Sequence, residues 1–346
     1  MRARFFASAV VLGIAASIIG IMFITGCGEG LTSSGNGSPV PGLGTIYVSD
    51  SDDDCIYVYN LNTNSTATVE LPSSASPNWM ALSPDKQKLY CSDTGSGKLH
   101  VISLSPLTYE AGITCNVLPA QPTYGIAFPR NSNCIFVTNG WDVSVIDLDD
   151  YTYHGFVYGT GGSTQLYGIA SHPIQNKIYT AKKTDNKILT STATWSVSPS
   201  TLVDVDTPHD LAINSDGSRL FASCNSPTRV VVISTEAATI ISSSETPFGG
   251  NYTRIKLAPD GQTLFVGCRS YSYIDYAAVS DTLAMHTITL ESGHDSIDFD
   301  FYPDSSRILI LSEDDPKVLI YSISSMSKEA EIDLPSSGVT SIVYKP

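Results

Sequence analysis

A chain of 346 residues, 42% of them hydrophobic, carries enough apolar material for a large packed core, which argues against wholesale disorder. Its 34 acidic residues against 19 basic ones give a formal charge of −15, with no basic stripe to neutralise a row of phosphates, so a nucleic-acid partner is not expected. An acidic surface of this kind favours solubility and repels anionic headgroups.

In chain order, the first feature is an export signal. Arg2 and Arg4 flank an apolar run from Phe5 to Phe23, which is followed by Ile24-Thr25-Gly26-Cys27. A cationic start, an apolar span and small residues before a cut make a signal peptide. Removing residues 1–26 would take two cations away, so the formal charge moves from −15 to about −17. The Cys directly after Thr25-Gly26 resembles the lipobox of bacterial lipoproteins. That resemblance implies a diacylglycerol on the Cys27 sulfur and a further acyl chain on its new amine, several chains together giving a durable hold. It implies an exported protein anchored to the cell envelope, at the outer membrane in a Gram-negative source. The alternative is an uncleaved membrane helix with an incidental Cys. Residues 28–44, GEGLTSSGNGSPVPGLG, are Gly, Ser and Pro with little to bury, and read with Cys27 as a flexible tether.

From Thr45 the pattern changes to apolar runs of five or six residues broken by Asp, Asn, Gly, Ser and Pro, without a sustained helical period. The runs repeat about every 43 residues. First strands read WMALSPD at Trp79, GIAFPRN at Gly125, GIASHPI at Gly168, DLAINSD at Asp210, RIKLAPD at Arg254, DFDFYPD at Asp298 and SIVYKP at Ser341. Second strands read KLYCSD, CIFVTN, KIYTAK, RLFASC, TLFVGC and RILILS, and third strands follow, such as KLHVISL and RVVVIST. Weaker fourth strands are expected at Ile113 to Leu118 and Ala238 to Ser242. Four short strands per unit predict an all-β, seven-bladed propeller of antiparallel blades over residues 45–346. TIYVSD at Thr45 matches second strands, whereas Gly338 to Pro346 matches first strands. One blade is therefore predicted to be shared by the two ends of the chain, which closes the ring and removes the exposed sheet edges.

GIAFPRNSNCIFVTNGWDVSVIDLD resembles the YVTN-type propeller repeat, and weaker copies cover nearly everything after the tether. The resemblance extends to surface-layer and periplasmic binding propellers and to lactonase-type propellers such as 6-phosphogluconolactonase. It implies a binding or scaffold module for an envelope protein or small ligand. The alternatives are a lactonase-like hydrolase or a redox propeller with a quinone or haem partner. No lactonase residue set can be carried over. Trp141-Asp142 falls in a turn, which fits a WD repeat poorly.

Propeller geometry predicts a ligand site at one axial mouth, built from the starts of first strands and the ends of second strands. The candidates are Trp79, Tyr124, Tyr167, His209, Asp210, Arg254 and Asp298, with Asp50, Asp93, Asn139 and Lys182 from the second strands. Their structural alternatives are plain: Asp210 and Asp298 accepting bonds from neighbouring strands, Arg254 neutralising them, and the tyrosines wedging between blades. His209 and Asp210 are adjacent in a strand and point to opposite faces, so they do not form an oriented base, and no catalytic residue is assigned. Asp50, Asp52, Asp53 and Asp54 crowd one hairpin but lack the Gly and Glu of an EF-hand loop, so a solvated turn is expected. Scattered His, and no Cys-x-x-Cys, give no metal site, and no cofactor is implied. Tyr271, Tyr273 and Tyr276 with Arg269 read either as a recognition surface or as ordinary strand residues. Six cysteines follow the tether; Cys224 and Cys268 end equivalent strands, yet the spacing of facing sheets favours free buried thiols.

Overall fold

A computed structural model of the chain describes residues 44–115, 122–130, 132–156, 165–194, 199–246, 249–291 and 293–346. The predicted signal peptide, Cys27 and all of the tether except Gly44 lie outside the described residues. Among the described residues no helix is long and apolar enough to cross a membrane.

Short runs rich in β-branched and aromatic residues, bounded by Asp, Gly and Ser turns, fold as strands because alternate side chains can pack on both faces of a sheet. The described residues form seven four-stranded antiparallel sheets. Each innermost strand packs on those of the preceding and following sheets, and the last packs on the first. The result is a seven-bladed β-propeller.

Counting from the seam, blade 1 has Val339–Lys345 innermost, then Thr45–Asp50, Cys55–Asn60 and Ser65–Glu70. The inner strands of blades 2 to 7 are Pro77–Leu82, Thr123–Ala127, Leu166–Ser171, Pro208–Ile213, Asn251–Leu257 and Ser296–Phe301. In the seam, Ile342 lies opposite Val48, Val343 opposite Tyr47 and Tyr344 opposite Ile46, so the two ends of the chain close the ring as predicted.

The core is divided among the blade interfaces. Second and third strands are covered on both sides by neighbouring blades, so runs such as Cys134–Asn139 and Arg307–Ser312 are almost wholly buried, while outer strands such as Thr239–Glu245 stay largely open. Seven apolar clusters result among the described residues, one at each interface. The cluster between blades 7 and 1 joins Leu309, Leu311 and Val318 to Val48, Ile342 and Tyr344.

Two expectations are adjusted. The fourth strand of blade 2 is Leu107–Thr114, not Ile113 to Leu118, because a tight turn at Ser105-Pro106 sets Leu104 directly opposite Leu107. Of the expected stretch, residues 116–118 lie outside the described residues. The fourth strand of blade 5 runs one residue later at its start and three at its end, Thr239–Glu245. Cys224 and Cys268 are unbridged, and all six described cysteines are buried. Burial pushes the Cys268 thiol up to about 11 and that of Cys224 to about 12, which removes both from thiolate chemistry at neutral pH.

Candidate functional site

Every inner strand carries an irregularity near its start. Between Pro77 and Met80, Thr123 and Ile126, Leu166 and Ile169, and Tyr252 and Ile255, two residues stand against one on the second strand. His209, Ile297 and Thr340 are the extra residues in blades 5, 7 and 1. A bulge leaves a residue outside the ladder and re-aims its side chain. Here the seven bulges turn Asn78, Tyr124, Tyr167, His209, Thr253, Ile297 and Thr340 onto one cavity of about 230 Å³ at the axial mouth, which Trp79, Arg254, Arg269 and Val339 also line. The small residues facing the bulges satisfy freed donors: Ser92 Oγ accepts from the Trp79 N–H at 3.1 Å, and Ser223 Oγ from the Asp210 N–H at 3.1 Å.

Two glycines let the rings of blades 3 to 5 meet. A Cβ on Gly168 would stand 2.5 Å from the Asp210 Cα, and one on Gly125 2.7 Å from the Tyr167 carbonyl oxygen. Their absence lets Tyr124 and Tyr167 approach to 4.7 Å between centroids, and Tyr167 and His209 to 4.9 Å. Lys183 stands 5.1 Å over Tyr167. The Nδ1 of His209 is buried and has no hydrogen-bond partner. Burial, then the charges of Lys183 and Arg254, push this imidazole down to about 3, so it is neutral at ordinary pH.

On the other side of the mouth the Arg254 guanidinium lies flat over Trp79, its Cζ 3.4 Å from the ring centroid. Blades 2 and 6 are not neighbours, so this contact reaches across the axis. Arg254 is 5% exposed. Burial pulls its pKa down to about 10 against the attraction of Asp298 and Asp210, which still leaves it charged. Asp298, 3.6 Å from Arg254, accepts from Lys256 Nζ at 2.8 Å, Ser341 Oγ at 2.6 Å and the Ile342 N–H at 3.1 Å. Asp210 accepts from the N–H of Leu211 at 2.8 Å and of Ile255 at 3.1 Å, and burial raises its carboxyl to about 6. Both carboxylates thus accept the channel-side N–H of the next blade's inner strand, and they lie behind the cavity rather than in it.

The second-strand candidates do not reach the cavity. Asp50, Asp93 and Asn139 are buried, and each turns an oxygen to the backbone N–H groups of the following turn. Asp93 also meets His100 Nε2 at 3.0 Å, and His100 Nδ1 meets the Tyr109 hydroxyl at 3.2 Å. Lys182 pairs with Asp185 at 2.7 Å and lines a separate cavity of about 120 Å³ beside Trp141. The acidic hairpin is likewise committed locally, with Asp54 accepting from the Ser74 N–H at 2.7 Å and Asp53 from the Tyr57 hydroxyl. The tyrosine group divides: Tyr271, 48% exposed, stacks on buried Tyr273, whereas Tyr276 packs on Phe265 at 5.9 Å.

Sequence reading missed Arg269 and Val339 as lining residues, Lys183 over Tyr167, and Lys256 as the partner of Asp298. The last had a signal: Arg254 and Lys256 are two apart on one strand, as are Asp298 and Asp300 on the next, so each pair shares a face.

No protein-family model matches the chain, and no curated protein matches it. Solved structures do. A protein of Bacteroides fragilis provisionally assigned as a 6-phosphogluconolactonase superposes with a TM-score of 0.69 at 13% identity, over 87% of this chain and 98% of that one. A protein of Lactobacillus plantarum gives 0.69 at 14% identity, over 88% and 99%. A dihydro-haem d1 dehydrogenase in complex with DHE gives 0.62 at 14%, over 91% and 79%. The likeness is one of fold. At such identities it carries no site residue across.

Proposed function

We propose that the chain is a lipid-anchored propeller of a bacterial cell envelope, with YVTN-type repeats, that binds a small molecule at its axial mouth. The observation that carries this reading is the convergence of all seven bulge residues on one cavity that holds a buried cation and an unpartnered imidazole nitrogen. Binding is preferred to lactonase-like hydrolysis because the mouth's polar groups form no acid–base pair: His209 Nδ1 has no partner, and Asp210 is engaged by backbone N–H groups. The lactonase-like and redox alternatives are supported by fold likeness alone.

The full chain, purified in detergent and exposed to a small-molecule extract of cells, is expected to retain a compound at one per chain by native mass spectrometry. Asn78→Trp fills the mouth without removing a side-chain hydrogen bond among the described residues and should release it. Retention of the same compound by that variant, or of nothing by the unaltered chain, contradicts the binding reading.

Anchoring is supported by the Thr25-Gly26-Cys27 sequence and the tether after it. Cys27→Ser is expected to abolish lipid labelling and leave the signal uncut or the protein in the soluble fraction. Unchanged labelling and membrane recovery would refute it.

A further inference from the structure

The binding reading leaves the ligand's chemistry open, and the two groups with unmet hydrogen bonds at the mouth define it. The Arg254 guanidinium has five N–H groups, and among the described residues none of them donates a hydrogen bond. Its nearest carboxylate oxygen, on Asp298, is 3.6 Å from Nε, which is ion-pair range rather than hydrogen-bond range. Trp79 covers one face of the guanidinium and fixes its plane, leaving the N–H edge as the part still to be satisfied. A buried guanidinium with unmet donors is costly to desolvate and well matched to an oxyanion, which it grips through two parallel bonds.

His209 supplies the second requirement. Its Nδ1 is buried and bare, and the Thr253 backbone favours a proton on the ring, which with Nδ1 bare assigns that proton to the other nitrogen. A neutral ring arranged in this way offers Nδ1 as an acceptor, so the ligand must bring a donor. Arg254 and Lys183 make the surroundings positive, which disfavours an ammonium donor and favours a hydroxyl. Asp298 and Asp210 share the field of Arg254, so a singly charged carboxylate suits the site better than a doubly charged phosphate.

We propose that the mouth binds a small hydroxy acid, its carboxylate on the Arg254 fork and a hydroxyl donating to Nδ1 of His209. This rests on the mouth being a binding site and adds the class of ligand.

The test is calorimetric titration of the full chain in detergent with glycolate, glycerate and gluconate against acetate, glycerol and inorganic phosphate. At least one hydroxy acid is expected to bind, about tenfold or more tighter than acetate or glycerol, as the loss of one well-placed hydrogen bond or of the ion pair requires. His209→Phe keeps a ring against Tyr167 but has no Nδ1, and should bring that hydroxy acid down to the affinity of acetate. Arg254→Lys keeps the charge without the fork and should weaken every acid. In a histidine-labelled sample, the Nδ1 nitrogen resonance of His209 should move toward the hydrogen-bonded range on saturation. The proposal fails if no hydroxy acid binds, if acetate, glycerol or phosphate binds as tightly, or if His209→Phe leaves the preference intact. Tight binding of glycerol alone would sink it while leaving a ligand-binding mouth in place; absence of any retained compound from the extract would remove both.

Discussion

Ending the chain at Ser337 is expected to abolish cooperative folding of the whole propeller, although only nine residues are lost. The removed segment contains Val339–Lys345, the inner strand of blade 1. Its ladder partner, Thr45–Asp50, would then have a bare inner edge. Ile342 and Tyr344 would leave the apolar cluster between blades 7 and 1, and the stack of Tyr344 on Tyr302 at 4.7 Å would go with them. Asp298 would lose the Ser341 hydroxyl and the Ile342 N–H, and Asp300 the Tyr344 N–H at 2.7 Å. A ring differs from an open array of repeats in that each blade is held from both sides, so one missing strand frees two interfaces at once. The truncated chain should show no single melting transition by circular dichroism and should aggregate through the exposed edge. A milder probe is Ile342→Ala, a fully buried site where the cost should be about 2–5 kcal/mol. A truncated chain that melts like the full one would mean the seam does not hold the ring.

Replacing Asp298 with Ala should be the most damaging single substitution at the channel wall, with a loss of about 3–5 kcal/mol in chemical denaturation. The carboxylate is 1% exposed and lies between Lys256 and Arg254, so its removal leaves two cations near the axis without their closest counter-charge, Asp210 and Asp300 remaining in their field. The pH dependence separates charge loss from packing loss. Burial alone would push the Asp298 carboxyl up, but Lys256 and Arg254 outweigh it and hold the group below the ordinary value of 3.8. A carboxyl depressed in the fold contributes stability that is present above 3.8 and lost as pH falls through the folded value. The difference between the unaltered chain and Asp298→Asn should therefore be constant near neutrality and shrink only below about pH 4. Asp210 works with the opposite sign: raised to about 6, it favours the fold as pH falls from about 6 toward 3.8. A difference that stays flat down to pH 2 would mean that Asp298 acts by shape alone.

The roles of the candidate residues divide along physical lines. Repetition is visible because each blade must bury two faces with the same short apolar runs, and those runs recur whatever the axis holds. Asp50, Asp93 and Asn139 read alike as polar ends of second strands, yet the geometry there is that of a turn whose N–H groups need an acceptor, and the side chain that starts the turn is the nearest one. Trp79, Tyr124, Tyr167, His209 and Arg254 escaped that fate because each sits in a bulge, where the ladder has already released it, whereas Asp210 and Asp298 stay in the ladder and accept backbone N–H groups. Nothing in a one-dimensional pattern marks a bulge: the strand keeps its apolar alternation on either side, and one residue slips out of register only when strand and blade are packed together.

By itself the sequence determined the all-β class, the seven blades, the seam between the ends of the chain and the belt of inner-strand positions at the mouth, because these follow from period and from which strand type stands first and last. Only the tertiary structure decided which of those positions face the cavity, that Trp79 and Arg254 meet across the axis, and that Lys256 joins Asp298. The reason is distance along the chain. Blades 2 and 6 touch at the axis only once the ring has closed, so contacts between them depend on the exact curvature of seven packed sheets and leave no trace in local spacing.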